Sequence, residues 1–306
     1  MSKKIIVNIK RLLIFALSIL LLSTALSVDV KAEGSKFSID LKYVIENTEF
    51  KLYKVAKKNL DNKYKKIDVF KEYPVNIEDY ENVDKRSLAM TLSSYIKRDS
   101  IEALRVEKTD GNLRVNFKNL EEGLYLIVGE DVIFKNYLYI PSAVFICLDE
   151  NNKNTEITID LKYKKTDIDE KTNLNVHKIW DDNDSESRPE SIEVQLLKDG
   201  NVIDTVKLSK KNRWQMEWSN LSTKFNYEIV EKNVPKGYYV TVNRENTVVK
   251  VINKAEILVD KPKSPDKKIP QTGQLWWPLP FLFVSSIFFL IKGIRWDRNK
   301  NDGNKR

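Results

Sequence analysis

Leu174-Asn175-Val176-His177-Lys178-Ile179-Trp180 is the stretch on which the fold turns. Leu174, Val176, Lys178 and Trp180 fall on one side of an extended chain, because successive side chains of a strand point to opposite faces. Three of these four are large and apolar, so the segment reads as a half-buried strand, with a lysine on its buried side. The same period of two recurs around it, in Phe37/Ile39/Leu41/Tyr43, Ile192/Val194/Leu196, Trp214/Met216/Trp218, Tyr227/Ile229/Glu231 and Val249/Val251/Asn253. Turn residues punctuate the series at Asp199-Gly200 and Pro235-Lys236-Gly237. Short alternating strands separated by such turns predict an all-β chain built as antiparallel β-sandwiches.

One segment follows a different period. Leu88, Leu92, Tyr95 and Ile96 stand at i, i+4, i+7 and i+8 within 84–98, and Asp84 is placed to cap, so one short helix is expected inside the first half. The two halves also repeat faintly. Glu49-Phe50-Lys51-Leu52-Tyr53-Lys54 matches Glu193-Val194-Gln195-Leu196-Leu197-Lys198. Phe117-x-Asn119-Leu120 followed by Tyr125-x-Ile127 matches Trp218-x-Asn220-Leu221 followed by Tyr227-x-Ile229. Two related modules in tandem, near 33–165 and 170–256, follow from this.

Charge and composition narrow the function. The 306 residues carry 52 Lys and Arg against 44 Asp and Glu. Residues 1–32 and 273–306 each hold an excess of four positive charges, so 33–272 is neutral and offers no basic face for nucleic acid. A single cysteine, Cys147, excludes an intrachain disulfide and reads as an apolar-strand residue. A single histidine, His177, points outward beside Lys178 and argues against His-based metal sites and Ser-His chemistry. Asp181-Asp182-Asn183-Asp184 lacks the spacing of a calcium loop and reads as a solvated turn. Neither a cofactor nor a metal is expected, and no exposed catalytic constellation suggests an enzyme.

The two ends read as addresses. Lys3, Lys4, Lys10 and Arg11 precede an apolar run from Leu12 to Leu22 and a weakly polar stretch ending Val30-Lys31-Ala32, so 1–32 is expected to be a secretory signal peptide, helical in its apolar part. At the other end, 257–268 loses alternation, gains Pro262 and Pro265, and reads as an extended linker. Then come Ile269-Pro270-Gln271-Thr272-Gly273, an apolar run from Leu275 to Ile291 long enough for a membrane-spanning helix, and a basic tail with Lys292, Arg295, Arg298 and Lys300. These three parts in order resemble the LPxTG cell-wall sorting signal of Gram-positive surface proteins, with Ile269 in place of the usual Leu. The resemblance implies that sortase cuts 269–306 between Thr272 and Gly273 and joins Thr272 to peptidoglycan, the span 275–291 holding the chain in the membrane only until then. Pro270 kinks the chain and Gly273 leaves room for a cysteine nucleophile at the Thr272 carbonyl.

Within 170–256, His177-Lys178-Ile179-Trp180-Asp181-Asp182, Arg188-Pro189-Glu190-Ser191, Leu197-Lys198-Asp199-Gly200, Tyr227-x-Ile229-x-Glu231 and Gly237-Tyr238 resemble the Cna B-type domain of Gram-positive adhesins and pilins. That resemblance implies an Ig-like sandwich. Residues 33–165 look like the longer N-terminal relative found in pilus subunits.

Lys178, Glu231 and Asn253 are out of character for their faces, since each is in phase with apolar neighbours and points inward. A buried charge is costly unless it is paired, and a Lys, a Glu and an amide can satisfy one another. Burial also lowers a lysine pKa and raises that of a glutamic acid, which yields an amine nucleophile beside a neutral acid. Two outcomes are open: a hydrogen-bonded ionic core, or an amide between Lys178 and Asn253 with ammonia released. Cna B-type domains are known for that intramolecular isopeptide bond, and these positions match the family's motif. The first module lacks the trio. Gly129 aligns with Glu231, Leu161 aligns with Asn253, and Lys42 is out of phase with Leu41 and Tyr43. Lys162 sits where pilus subunits place the lysine that accepts another subunit, without the family's surrounding motif. Together these readings predict a secreted, wall-attached protein with a structural or adhesive role, partnered by sortase and peptidoglycan. It is either a minor or basal pilus subunit, partnered by other subunits, or a stand-alone adhesin for a host matrix protein.

Overall fold

Period-two alternation becomes strand after strand in the computed structural model, which describes residues 36–59, 61–149, 154–183 and 188–256. The expected signal peptide 1–32, linker 257–268 and sorting signal 269–306 lie outside these residues. The first half contains β1 (Phe37–Lys42), β2 (Glu49–Lys58), β3 (Tyr64–Lys66), helix α1 (Lys85–Asp99), β4 (Arg105–Lys108), β5 (Arg114–Leu120), β6 (Gly123–Gly129), β7 (Val132–Phe134), β8 (Tyr137–Pro141), β9 (Val144–Leu148), β10 (Glu156–Asp160) and β11 (Tyr163–Asp167). The second contains β12 (Lys171–Asp181), β13 (Ser191–Lys198), β14 (Asn201–Ser209), β15 (Gln215–Ser222), β16 (Tyr227–Glu231), β17 (Tyr238–Glu245) and β18 (Val248–Ala255). Strand β11 runs across the boundary expected at 165.

Each half is a two-sheet sandwich. In the first, β10-β1-β5 packs on β3-β2-β6-β9, with Ile39, Leu41, Phe50, Leu52, Phe117 and Ile127 between them. In the second, β15-β12-β18-β17 packs on β14-β13-β16 around Val176, Val194, Leu196, Ile229, Val240 and Val251. A small sheet, β11-β8-β7, is added to the first half. The Asp199-Gly200 hairpin closes β13 to β14 with both residues in left-handed backbone (φ 49° and 82°), which suits the twist of the flanking strands.

The expectation of purely antiparallel sandwiches is corrected at one place in each module. In the first module β1 pairs in parallel with β10, the last strand of its sandwich sheets, and in the second the first strand β12 pairs in parallel with the last, β18, in the register Lys178↔Val251. Parallel neighbours need a long crossover, and here the rest of the module supplies it. The repeat seen in the sequence therefore extends to topology. Asn119 and Asn220 both take a left-handed conformation (φ 56° and 60°), which asparagine tolerates. Each lies near a register shift in the adjoining ladder, between Phe37 and Ile39 in one module and between Thr172 and Leu174 in the other. Trp214 does not continue the alternation expected of it. Arg213 and Trp214 are both left-handed (φ 57° and 58°), and Met216 stays exposed on the edge strand β15.

Helix α1 forms where the 3.6-residue period predicts it. Asp84 caps it by accepting the Arg86 N–H at 3.1 Å, and Ser100 ends it in left-handed backbone with its N–H turned back to the helix. Leu88, Leu92 and Ile96 pack on the outer face of the β2-β6-β9 sheet, against Val55, Leu124, Leu126 and Val128. This accounts for β6 being buried along its whole length, since its other face lines the sandwich core. The opposite side of α1 is not solvated. Tyr95 enters the core of the second module and Met90 packs against it. Ser and Thr residues make this close packing possible, because their hydroxyls bond back to the helix: Thr91 to the Ser87 carbonyl at 2.7 Å, and Ser93 and Ser94 to that of Met90.

A helix packed on two modules couples their stability. Leu92→Ala, at a site with no exposure, should cost about 2–5 kcal/mol. Thermal unfolding followed by near-ultraviolet circular dichroism should still show one transition at a lower temperature. Separate transitions, with the second module unmoved, would contradict the coupling.

Candidate functional site

The parallel register of β12 and β18 sets Lys178 opposite Val251 and Trp180 opposite Asn253, so Asn253 stands one inward-facing step beyond the lysine. Glu231, the last residue of β16, comes from the other sheet, where it pairs with Val194. The side chains of Lys178 and Glu231 have no solvent exposure, and Asn253 is buried as completely. The structure thus brings together the three residues singled out in the sequence. Lys178 Nζ lies 3.7 Å from Glu231 Oε2 and donates to the carbonyls of Ile179 at 3.0 Å and Val251 at 3.3 Å. Asn253 Nδ2 donates to Glu231 Oε1 at 2.9 Å. Among the described residues, Glu231 Oε2 and Asn253 Oδ1 have no hydrogen-bond partner.

The electrostatics follow from burial. Loss of water pushes the Lys178 amine down from the usual lysine range, opposed by the neighbouring Glu231 carboxylate. Loss of water likewise pushes the Glu231 carboxyl up, opposed by Lys178 and the Asn253 amide. Both shifts favour the state in which the proton has moved from nitrogen to oxygen, leaving a neutral amine beside a neutral acid. Such a pair can supply a nucleophile and shuttle a proton.

An aromatic cage closes the site. The Trp180 ring lies 4.3 Å from Lys178 Nζ and meets Trp214 and Tyr238 edge-on at 5.5 and 5.3 Å. Tyr238 Oη donates to Asp182 at 2.6 Å, and Arg188 also pairs with that carboxylate, so Asp182 is tied to this cage. Sequence periodicity places Trp180 and Trp214 on separate strands but does not show that they meet each other or Tyr238. Trp214 is out of strand phase, and Tyr238 gives no sign of reaching across the module. Tyr95 was legible as a buried face of α1, whereas its hydrogen bond to the Glu231 carbonyl, at 2.8 Å, was not.

The aligned positions of the first module are arranged differently. Lys42 is on the surface, 4.0 Å from exposed Asp160. A side chain on Gly129 would meet the Phe50 ring and Pro141 within 2.7 Å, and Leu161 is buried. Lys162 is exposed, and Cys147 faces the Tyr64 hydroxyl.

Comparison with known proteins bears on this site. Residues 174–254, which contain Lys178, Glu231 and Asn253, match the Cna protein B-type domain family. A stretch of 101 residues is 30% identical to a collagen adhesin of Staphylococcus aureus and covers 31% of this chain but 8% of that protein. Among solved structures, a single B repeat unit of the S. aureus collagen-binding surface protein aligns with a TM-score of 0.27 at 18% identity, covering 72% of this chain and 97% of that one. The minor pilin of Streptococcus agalactiae aligns with a TM-score of 0.24 at 17% identity, covering 76% and 100%.

A second polar cluster lies between the modules. Lys97 of α1 reaches Glu228 of β16 at 3.1 Å, and Asp131, after β6, stands near both. Burial, reinforced by Glu228 and opposed by Lys97, raises the Asp131 carboxyl to about 6. An acid raised in the folded state binds its proton more tightly there than in the unfolded chain. The contribution of Asp131 to stability therefore falls as pH rises from about 4 through 6. Asp131→Asn should stabilise the protein at pH 7 by about 1–3 kcal/mol, with the gain shrinking below pH 6 and vanishing near pH 4. Melting temperatures across that range check it, and a pH-independent difference would refute it.

Proposed function

We propose that this chain is a sortase-anchored cell-wall surface protein with a structural or adhesive role, a minor or basal pilus subunit, whose second module is locked by an isopeptide bond between Lys178 and Asn253. One observation carries the bond: the Glu231 carboxyl lies between the lysine amine, at 3.7 Å, and the asparagine nitrogen that must leave, at 2.9 Å, in a core without water access. The neutral amine attacks Asn253 Cγ, and the Nζ–Cγ bond forms as the carbonyl π electrons move to Oδ1. Glu231 delivers its proton to Nδ2 and receives one from Nζ. When the carbonyl re-forms, the Cγ–Nδ2 bond breaks, ammonia leaves, and Glu231 is returned as an acid. The protein thus acts only on itself.

The bond serves the proposed role. It ties the first strand of the module to its last, about 75 residues apart, in a chain with one cysteine. By analogy with a disulfide, closing such a loop stabilises by about 4 kcal/mol through the unfolded state. The order of apolar leader, Ile269–Gly273, apolar run and basic tail supports export and attachment through Thr272, with 275–291 as a transient membrane span. The match to a Cna B-type domain supports a surface location. Its partners would be sortase, peptidoglycan and other pilus subunits. A second reading, a stand-alone adhesin for a host matrix protein, is favoured by the matched collagen adhesin.

Intact mass measurement of the full chain should give a value one ammonia below the sum of its residues, after allowance for leader removal and sorting. Glu231→Gln and Lys178→Met should each restore that ammonia and lower the melting temperature. Deletion of Ile269–Gly273 should shift the protein from wall to membrane fractions. Full mass in the wild type would leave an ionic core in place of the bond, and wall attachment unaffected by the deletion would remove the sorting mechanism.

A further inference from the structure

We infer that the bond-forming site of the second module is completed by the first, with Tyr95 of α1 acting as a positioning residue for Glu231. The inference rests on the isopeptide reading above and extends it. The trio is divided between two sheets. Glu231 lies on β16, an edge strand of β14-β13-β16, whereas Lys178 and Asn253 lie in β15-β12-β18-β17, whose edge on that side is β17. Among the described residues no strand ladder joins the two sheets across that side. Arg244 of β17 donates to the Tyr227 carbonyl of β16 at 2.6 Å, at the opposite end of β16 from Glu231, so the Glu231 end is where a further element can set its distance to the groups it serves.

Helix α1 spans that opening. Tyr95 Oη donates to the Glu231 main-chain carbonyl at 2.8 Å, near the end of the β13–β16 ladder, which one further bond from the Lys232 N–H to the Glu193 carbonyl extends past Glu231. The phenol is 2% exposed, and burial holds it protonated well above the usual tyrosine range, so it remains a donor at any pH the protein meets. Its ring is fixed by Tyr73 at 5.6 Å and the Arg98 guanidinium at 4.8 Å. On the other sheet, Thr91 Oγ1 accepts the Val242 N–H at 2.7 Å, and the Pro74 carbonyl accepts the Val240 N–H at 2.8 Å. Val240 is the cross-strand partner of Asn253, and Val242 is that of Val251, whose carbonyl holds the lysine amine. Residues of the first module therefore grip both edges of the gap, one of them on the peptide unit of the general acid. A carboxyl displaced by a fraction of an ångström loses its alignment with both nitrogens, and rate is sensitive to such placement. The covalent lock then forms fastest once the modules have docked.

The test follows bond formation in the full chain by intact mass at intervals after a pulse of synthesis. Tyr95→Phe removes one hydroxyl and should slow ammonia loss about two- to tenfold, the worth of one hydrogen bond. Ile96→Val, on the face of α1 turned to the first module, costs similar stability without touching β16 and should react at the wild-type rate. Melting of Tyr95→Phe in a Glu231→Gln background, where no bond forms, should show that the fold is retained. A Tyr95→Phe chain that reacts as fast as wild type, or an Ile96→Val chain that is slowed as much, would overturn the positioning role. A wild-type chain that never loses ammonia would instead overturn the isopeptide reading on which the inference rests.

Discussion

The second module depends on how three polar side chains are accommodated in a core that admits no water. Lys178, Glu231 and Asn253 occupy inward-facing positions that apolar residues would fill at less cost. The compensation is local: two main-chain carbonyls on the amine, the amide on the carboxyl and an aromatic cage over the lysine. Even so, among the described residues one oxygen of Glu231 and one of Asn253 have no hydrogen-bond partner. An arrangement left partly unsatisfied, in which burial moves both groups toward their neutral forms, is better suited to a reaction than to stability alone. The parallel pairing of first and last strands is what allows such a reaction, since it places residues from opposite ends of the module side by side.

The first module shows the same topology without this demand. Phe50 and Pro141 fill the space where a counterpart of Glu231 would stand, and Lys42 is turned to solvent. Its distinguishing addition is α1, buried on both sides because it serves two cores at once. On the proposed reading, a cross-linked second module braced by its neighbour would transmit force as one stiff unit, to which the first module contributes packing and polar contacts.

Much of this was legible in the sequence, because alternation reports which face a residue takes. Phase alone put Lys178, Glu231 and Asn253 inside, and the 3.6-residue period with Asp84 located the helix within a residue of its observed start. What was not legible depends on contacts between distant segments. The parallel strand pairs leave no local trace, since strand direction is set by the path of the intervening chain. Trp214 escaped its expected strand because two consecutive left-handed residues break the alternation. Tyr95 was recognisable as apolar and helical, but a helix period cannot reveal that the face carrying it belongs to a different core, or that its hydroxyl meets Glu231.

Sequencing by tandem mass spectrometry of peptides from the denatured, protease-digested full chain tests the central claim most directly. The account predicts one branched peptide in which the Lys178 side chain is joined to that of Asn253 with ammonia lost. Recovery of two linear peptides instead, with Lys178 free to acetylation and Asn253 an unmodified amide, would contradict it.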